Sequence, residues 1–218
     1  FVLSGYLLTG ILLKSKVKDN RNGIGHTKSL KLFYIRRTLR IFPLYYLLLA
    51  VLYFINEPGV REHIFWLATY MTNNYIGYYQ HWMGSFDHLW SLAVEEQFYL
   101  FFPFIIFFIN VKRLPYILIA LIALSVLLRA YFFMNGTSWV TPYVLTPTCL
   151  DALAMGGLLA YLKDYNSIGI TNIGQLKAGF FISLLVYIIV VFMVKNPDES
   201  HNFYSVVLLR FFESCLSV

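Results

Sequence analysis

The residues of this chain best suited to chemistry are concentrated in the stretch HLWSLAVEEQFYLFFP, residues 88–103. If a helix starts near His88, then His88, Ser91, Glu95 and Tyr99 follow at spacings of three, four and four residues and share one face. An imidazole, a hydroxyl, a carboxylate and a phenol on one face are the groups that proton transfer to a hydroxyl requires. The structural alternative is that His88 and Ser91 cap the helix near water, while the glutamates pair with arginines of other helices. The spacing leaves both open, and Glu96, turned about 100° away, has no predicted role.

A second candidate site lies in the stretch FYIRRTLRIFPLYYLL, where Arg37 and Arg40 are one helical turn apart. Guanidinium groups bind phosphates in a bidentate manner, so this pair is a candidate fork for a phosphorylated cofactor. Arginines at the entry to an apolar segment also serve as anchors for anionic lipid headgroups. Composition by itself favours the anchor.

The other ionisable residues of the apolar segments have structural explanations. Asp151 falls in the first turn of a predicted helix, where the helix dipole favours an acid. We expect Arg129 to reach the membrane surface or to meet one of the glutamates at 95 and 96. Arg210 and Glu213, spaced by three, are expected to pair with each other. No second His or Cys stands at ligand spacing from His88, so no metal site is predicted.

The elements that position these residues belong to a membrane protein. Of the 218 residues, 59% are hydrophobic and 13% are charged, and the mean hydropathy is +0.64, whereas soluble domains carry about 25% charged residues. The net charge of +6 does not indicate nucleic-acid binding, because nine of the 17 basic residues lie in one stretch, 14–40. The two cysteines suggest no disulfide framework.

The apolar segments predict an all-α, polytopic bundle of transmembrane helices, with about seven spans. A span needs about 20 mostly apolar residues. The candidates are 1–13, 39–56, 91–109, 116–134, 149–162, 177–194 and 203–218. Segment 63–83 is rich in Asn, Gln and His and is expected to be interfacial or re-entrant.

The distribution of basic residues predicts the orientation. Loop 14–40 holds nine basic residues and one acid, so the positive-inside rule makes it cytoplasmic. Loop 110–115 carries Lys112 and Arg113 and should be on the same side. Both ends of the chain lie within apolar runs, so we expect residues 1–218 to be part of one longer membrane domain, truncated at both ends.

Four stretches in the same order resemble the membrane-bound acyltransferase family 3, which O-acetylates bacterial surface glycans. They are FVLSGYLL, RRTLRIFPLYY, HLWSLAVEEQFYLFFP and LDALAMGGLLA. The third match is long and specific. The resemblance implies a multi-pass enzyme of the bacterial inner membrane, with acetyl-CoA or another acyl-CoA as donor substrate and no permanently bound cofactor. It implies a glycan or lipid-linked saccharide as acceptor.

The resemblance also assigns expected roles to individual residues. The main catalytic histidine of the family lies in a helix before FVLSGYLL, so Glu95 and, in support, His88 are the candidate catalytic residues here. Arg37 and Arg40 fall on the family's donor-handling arginines. Other motif positions are occupied by Ser4, Gly5, Tyr6, Trp90, Ser91, Gln97, Tyr99 and Asp151. At the position of Cys149 the family often has Arg, which puts a charge contact there in doubt.

The hypothesis from sequence is therefore an integral membrane O-acyltransferase. The alternative is a proton-coupled transporter or flippase, in which the acids within the membrane relay protons. Transporters of that kind often contain repeated segments interrupted by Gly or Pro, and no such repeat is evident in this sequence.

Overall fold

The computed structural model describes residues 1–84, 86–164, 181, 184–189, 191 and 203–217. Over these residues every regular element is helical, which agrees with the predicted all-α class. The α-helices are α1 (Val2–Arg21), α2 (Thr27–Phe54), α3 (Val60–Ala68), α4 (Thr72–Tyr79), α5 (Leu89–Phe108), α6 (Leu114–Met134), α7 (Val140–Val144), α8 (Leu150–Asp164) and α9 (Arg210–Leu216). Short 3₁₀ helices cover Val111–Arg113 and Thr146–Cys149, and a π-helix, Tyr204–Leu209, directly precedes α9.

The prediction that residues 14–40 form a loop is wrong, because they form a helical hairpin. Helix α1 continues to Arg21, α2 already begins at Thr27, and a turn with Gly23 at a φ of 63° joins them. Lys and Arg are good helix formers, so the drop in hydropathy does not end the helix. At the turn, the buried Asp19 accepts a hydrogen bond from Ser29 Oγ at 2.8 Å and lies 3.1 Å from His26 Nδ1.

Three helical segments of the described chain are long and apolar enough to cross a membrane: Thr27–Phe54, Leu89–Phe108 and Val111–Met134. The predicted count of seven spans is thus not reached on the described residues, and most of segment 177–194 lies outside them. Segment 63–83 falls mainly in α3 and α4. Helices of nine and eight residues are only about 12–14 Å long, too short for either to cross a bilayer.

Helix α1 is held between α5 and α8. It runs parallel to α5, since Ser4 bonds Glu95 near the start of both helices and Lys16 Nζ bonds the carbonyls of Ile106 and Ile109 near the end of α5. The buried Lys16 thereby satisfies carbonyls that have no partner within the helix.

Against α8 the packing of α1 is close because glycines face its backbone. A Cβ on Gly5 would lie 1.9 Å from the Leu153 carbonyl oxygen, and a Cβ on Gly156 would lie 1.9 Å from the Val2 carbonyl oxygen. Gly5, predicted as a motif residue, is therefore a packing position. Gly156 and Gly157 likewise leave room for the neighbouring helices to pack closely against α8.

Candidate active site

The carboxylate of Glu95 is held by hydroxyl groups from two helices. Ser4 Oγ on α1 donates to Glu95 Oε1 at 2.8 Å, and Tyr99 on α5 donates its phenol to Oε2 at 3.0 Å. The contact with Tyr99 follows from the spacing of four residues on one helix face. The contact with Ser4 depends on the packing of α1 against α5. Each carboxylate oxygen has two acceptor sites, so both oxygens of Glu95 can accept a further bond.

Glu96, which had no predicted role, pairs with Arg37 of α2. The Nε and Nη2 atoms of Arg37 donate to Glu96 Oε1 at 3.3 and 3.2 Å. The Arg37 guanidinium carbon also lies 3.2 Å from the centre of the Tyr99 ring, which is a cation–π contact. The two adjacent glutamates therefore have different partners, because one residue along a helix rotates the side chain by about 100°.

A basic cavity of about 570 Å³ lies between the second half of α1 and the first half of α2. Its lining includes five basic side chains: Lys18, Lys28, Arg36, Arg37 and Arg40. Arg37 is paired with Glu96. No ion pair within 4 Å joins any of the other four to a carboxylate of the described residues. The cavity therefore has a concentrated positive charge that suits a polyanionic ligand.

The two predicted donor-binding arginines differ in whether an acid already neutralises their charge. Arg40 is exposed and lines the basic cavity. Arg37 also lines this cavity, but its charge is already engaged by Glu96. The free positive charge consists of Arg40 with Lys18, Lys28 and Arg36, which sequence reasoning did not select. Their shared cavity forms only because the stretch 14–40 folds back as a hairpin.

Arg37 also lines a second, aromatic cavity of about 310 Å³ between α2 and α5. Its walls include Tyr34, Phe42, Tyr70, Tyr99 and Phe101. The buried Tyr70 hydroxyl has no hydrogen-bond partner in the described structure. Burial, together with the neighbouring Tyr45, Tyr46 and Glu96, raises the pKa of Tyr70, so this phenol is a neutral donor.

Gln97 connects the loop between α3 and α4 to the wall of the site. Its amide nitrogen donates to the Tyr70 carbonyl at 2.8 Å and to Asn73 Oδ1 at 2.9 Å, and its oxygen accepts from Thr146. Asn73 in turn donates to Thr146 Oγ1 at 2.9 Å. Gln97 thus holds three separate segments together, a positioning role that its place in the motif did not reveal.

The structure does not bring His88 to Glu95. The His88 side chain is exposed, and Ser91 Oγ donates to the His88 carbonyl at 2.9 Å. Seven residues along α5 correspond to about 10 Å, so a shared helix face did not produce contact between them. His88 begins the helix without a side-chain capping bond, and its supporting role stays a prediction.

Asp151 lies in the first turn of α8, as predicted, and forms a fully buried ion pair with Arg129. Arg129 Nη2 lies 2.5 Å from Asp151 Oδ2, and neither side chain is exposed. Ser125 Oγ donates to Asp151 Oδ1 at 3.2 Å, and Arg129 Nη1 donates to the Thr148 carbonyl at 3.2 Å. The expectation that Arg129 meets a glutamate or reaches the surface is wrong, because Asp151 of α8 lies beside the Arg129 guanidinium in the interior of the bundle.

The remaining motif residues contact neighbouring helices. Lys163 Nζ donates to the Tyr6 hydroxyl at 2.8 Å. Trp90 packs edge-on against Phe1, with ring centres 5.8 Å apart. Arg210 Nη2 lies 3.2 Å from Cys149 Sγ, so a cation from α9 reaches this position even though Cys stands there. No cluster of three His, Cys, Asp or Glu suited to a metal occurs among the described residues.

Comparison with known proteins agrees with the resemblance seen in the motifs. A family model described as an acyltransferase domain matches residues 1–212. A Haemophilus influenzae protein without a described function is 33% identical over 194 residues, covering 77% of this chain and 74% of that protein. The O-acetyltransferase OatA of Staphylococcus aureus is 31% identical over 216 residues, covering 84% of this chain but only 34% of that protein. No solved structure matches the chain significantly. The chain therefore belongs to the acyltransferase family that this model describes.

Proposed function

We propose that this chain belongs to the membrane-embedded part of an O-acyltransferase that transfers an acyl group, acetyl in the first instance, from acyl-CoA to a hydroxyl of a glycan or related acceptor. The observation that carries the proposal is the Glu95 carboxylate, held by Ser4 and Tyr99. Through Tyr99 and the Arg37 guanidinium that covers its ring, this carboxylate is connected to a cavity lined by five basic residues. Family membership and the name of the staphylococcal relative support acyl transfer.

In the proposed reaction a histidine from a helix that precedes this segment is the base. It takes the proton of the acceptor hydroxyl while the oxygen attacks the thioester carbonyl carbon. The C–O bond forms, the C–S bond breaks, and the CoA thiolate receives the proton from the imidazolium. Glu95 orients this histidine and stabilises its protonated form, as the acid of a catalytic triad does.

The Arg37–Glu96 pair holds the Tyr99 side of this arrangement in place. Arg37 covers the ring of Tyr99 while the Tyr99 hydroxyl donates to Glu95. Because Arg37 is engaged by Glu96, its role is to order the phenol that fixes the carboxylate. Donor phosphates are bound by the free cations of the basic cavity, above all Arg36 and Arg40.

The basic hairpin lies at the cytoplasmic face of a bacterial inner membrane in this proposal. Nine basic residues and one acid between residues 14 and 40 favour this side by the positive-inside rule. Acyl-CoA is made in the cytoplasm, so the basic cavity is open to the donor from the correct side.

The Glu95→Gln variant of the complete protein should lose at least about a hundredfold in kcat, because replacing the acid of a catalytic triad by its amide lowers kcat by up to about 10⁴-fold and the amide cannot stabilise an imidazolium. The KM for acetyl-CoA should stay the same. Tyr99→Phe, which removes one of the two bonds to Glu95, should have a smaller effect. Acetylation at the normal rate by Glu95→Gln would exclude this role.

Replacing Arg36 and Arg40 together with Ala should weaken acetyl-CoA binding, measured as KM in membranes and as Kd on the purified protein. We expect roughly a tenfold weaker affinity for each guanidinium group removed, which corresponds to about 1.4 kcal/mol, with kcat little changed. Arg113→Ala is the matched control, since this exposed residue lies near the same end of the bundle but lines neither cavity. Equal donor affinity in the double variant and the control would show that the basic cavity does not bind the donor.

A further inference from the structure

A third cavity, of about 270 Å³, lies between α7 and the π-helix that leads into α9. Its lining includes Trp139, Tyr143, Ser205, Leu209, Arg210 and Glu213. It therefore combines two aromatic rings with a hydroxyl, a guanidinium and a carboxylate. Small-molecule sites are typically apolar clefts with a few placed polar groups of this kind.

The backbone that forms one wall of this cavity is unusual. Ser205 and Leu209 belong to a π-helix of six residues, Tyr204–Leu209, and Arg210 follows it directly. π-helical turns are rare and occur frequently at functional sites. This change in helical pitch alters which side chains of the segment face α7.

The Arg210 guanidinium is fixed in position by its neighbours. It donates to the Tyr143 carbonyl, lies 3.2 Å from Cys149 Sγ, and its central carbon lies 4.7 Å from the centre of the Tyr143 ring. The prediction that Arg210 pairs with Glu213, made from their spacing of three residues, is wrong. No ion pair within 4 Å occurs between these two described residues. Glu213 is exposed, so its carboxylate remains an acceptor at the cavity.

The aromatic wall extends from this cavity towards Glu95. Trp139 and Tyr143 are 5.8 Å apart between ring centres, and Tyr143 and Trp90 are 5.3 Å apart. Trp90 precedes Glu95 by five residues on α5, about 7.5 Å along the helix axis. The basic cavity lies in the other direction, because Lys18 is 14 residues beyond Ser4 on the parallel helix α1. The two cavities are thus on opposite sides of Glu95 along the bundle.

We propose that this third cavity, which we call the saccharide pocket, binds an uncharged pyranose ring of the acceptor; its role in acyl transfer rests on the proposed function. The C–H face of the ring packs on the indole of Trp139 and the phenol of Tyr143. Sugar hydroxyls donate to Glu213 and accept from Arg210. The opposite charges of these two residues balance, which favours a neutral sugar over a uronic acid. A volume just under the range of about 300–1,000 Å³ for drug-sized ligands suits a single ring.

The test measures binding separately from catalysis. The complete protein is purified in a detergent without a sugar headgroup and titrated with glucose, N-acetylglucosamine and glucuronate, using tryptophan fluorescence. A neutral sugar should change the signal, and glucuronate should bind more weakly. Glu213→Gln should weaken neutral-sugar binding by about tenfold, and Trp139→Phe should remove most of the signal change. The matched controls are Glu62→Gln and Trp66→Phe, both on α3 and outside this cavity.

The acyltransferase assay then separates the two proposals. Glu213→Gln should raise the KM for the acceptor and leave the KM for acetyl-CoA unchanged, which also shows that the variant is folded. Sugar binding that depends on Glu213, without any acetyl transfer, would support the pocket and contradict the proposed function. If neither neutral sugar binds, or if the variants bind as the controls do, the aromatic residues are only an interfacial belt and the saccharide pocket is wrong.

Discussion

Replacing Arg129 with Met should destabilise the protein by about 3–5 kcal/mol, the typical result of removing one partner of a buried ion pair. Both Arg129 and Asp151 are fully buried, and Arg129 Nη2 lies 2.5 Å from Asp151 Oδ2. Without Arg129, the carboxylate keeps only the hydrogen bond from Ser125, and a buried charge with one neutral donor is strongly unfavourable. The destabilisation should appear as a lower melting temperature. A thiol-reactive dye can report the unfolding, because the free thiol of Cys149 is fully buried in the folded protein and becomes accessible only when the protein unfolds.

The double variant Arg129→Met/Asp151→Leu is the control that identifies the cause. Buried pairs replaced by apolar residues of similar volume are often neutral in stability, so the double variant should recover most of the lost stability. The two substitutions should thus be strongly non-additive, as expected for residues in contact. A double variant that is as unstable as the sum of the single variants would show that the pair does not act as a unit.

Replacing Gly156 with Ala should cost about 1–3 kcal/mol or more through overpacking. The new Cβ would lie 1.9 Å from the Val2 carbonyl oxygen and 2.7 Å from the Tyr6 backbone nitrogen. Because the obstacle is backbone, only a separation of α1 from α8 can relieve it. Helix propensity favours Ala over Gly by about 1 kcal/mol, which is too little to offset the clash. Such a separation would also displace Ser4 from Glu95, so activity should fall together with the melting temperature.

The adjacent residue Gly157 provides a matched control in the same helix. A Cβ at this position would lie 2.9 Å from Thr9 Oγ1 and 3.3 Å from Leu118 Cδ2, both of them side-chain atoms. Small rotations of these side chains can relieve the clash, and the gain in helix propensity offsets part of the strain. Gly157→Ala should therefore change the melting temperature much less than Gly156→Ala. Equal effects of the two substitutions would contradict the role of backbone contact at Gly156.

The hairpin of α1 and α2 shows where prediction from composition reaches its limit. Hydropathy identified apolar runs at 1–13 and 39–56, yet the helices extend to Arg21 and start at Thr27. Lipid exposure requires apolar side chains, whereas helix formation requires only a compatible backbone, and basic residues provide one. The basic cavity exists because the two charged helix ends face each other across a short turn. Sequence spacing cannot show that residues 18 and 40 line the same cavity.

By itself, the sequence determined the all-α class, a membrane character, the acyltransferase family and the shared helix face of Glu95 and Tyr99. These depend on composition, on local motifs and on the 3.6-residue period of a helix, all of which are contained in neighbouring residues. Only the tertiary structure decided that Ser4 bonds Glu95, that Glu96 pairs with Arg37 and that Asp151 pairs with Arg129. The physical reason is that the partner of a buried charge depends on which helices pack together and at what depth. Residues at positions 4 and 95, or 37 and 96, have no fixed relation until that packing is known.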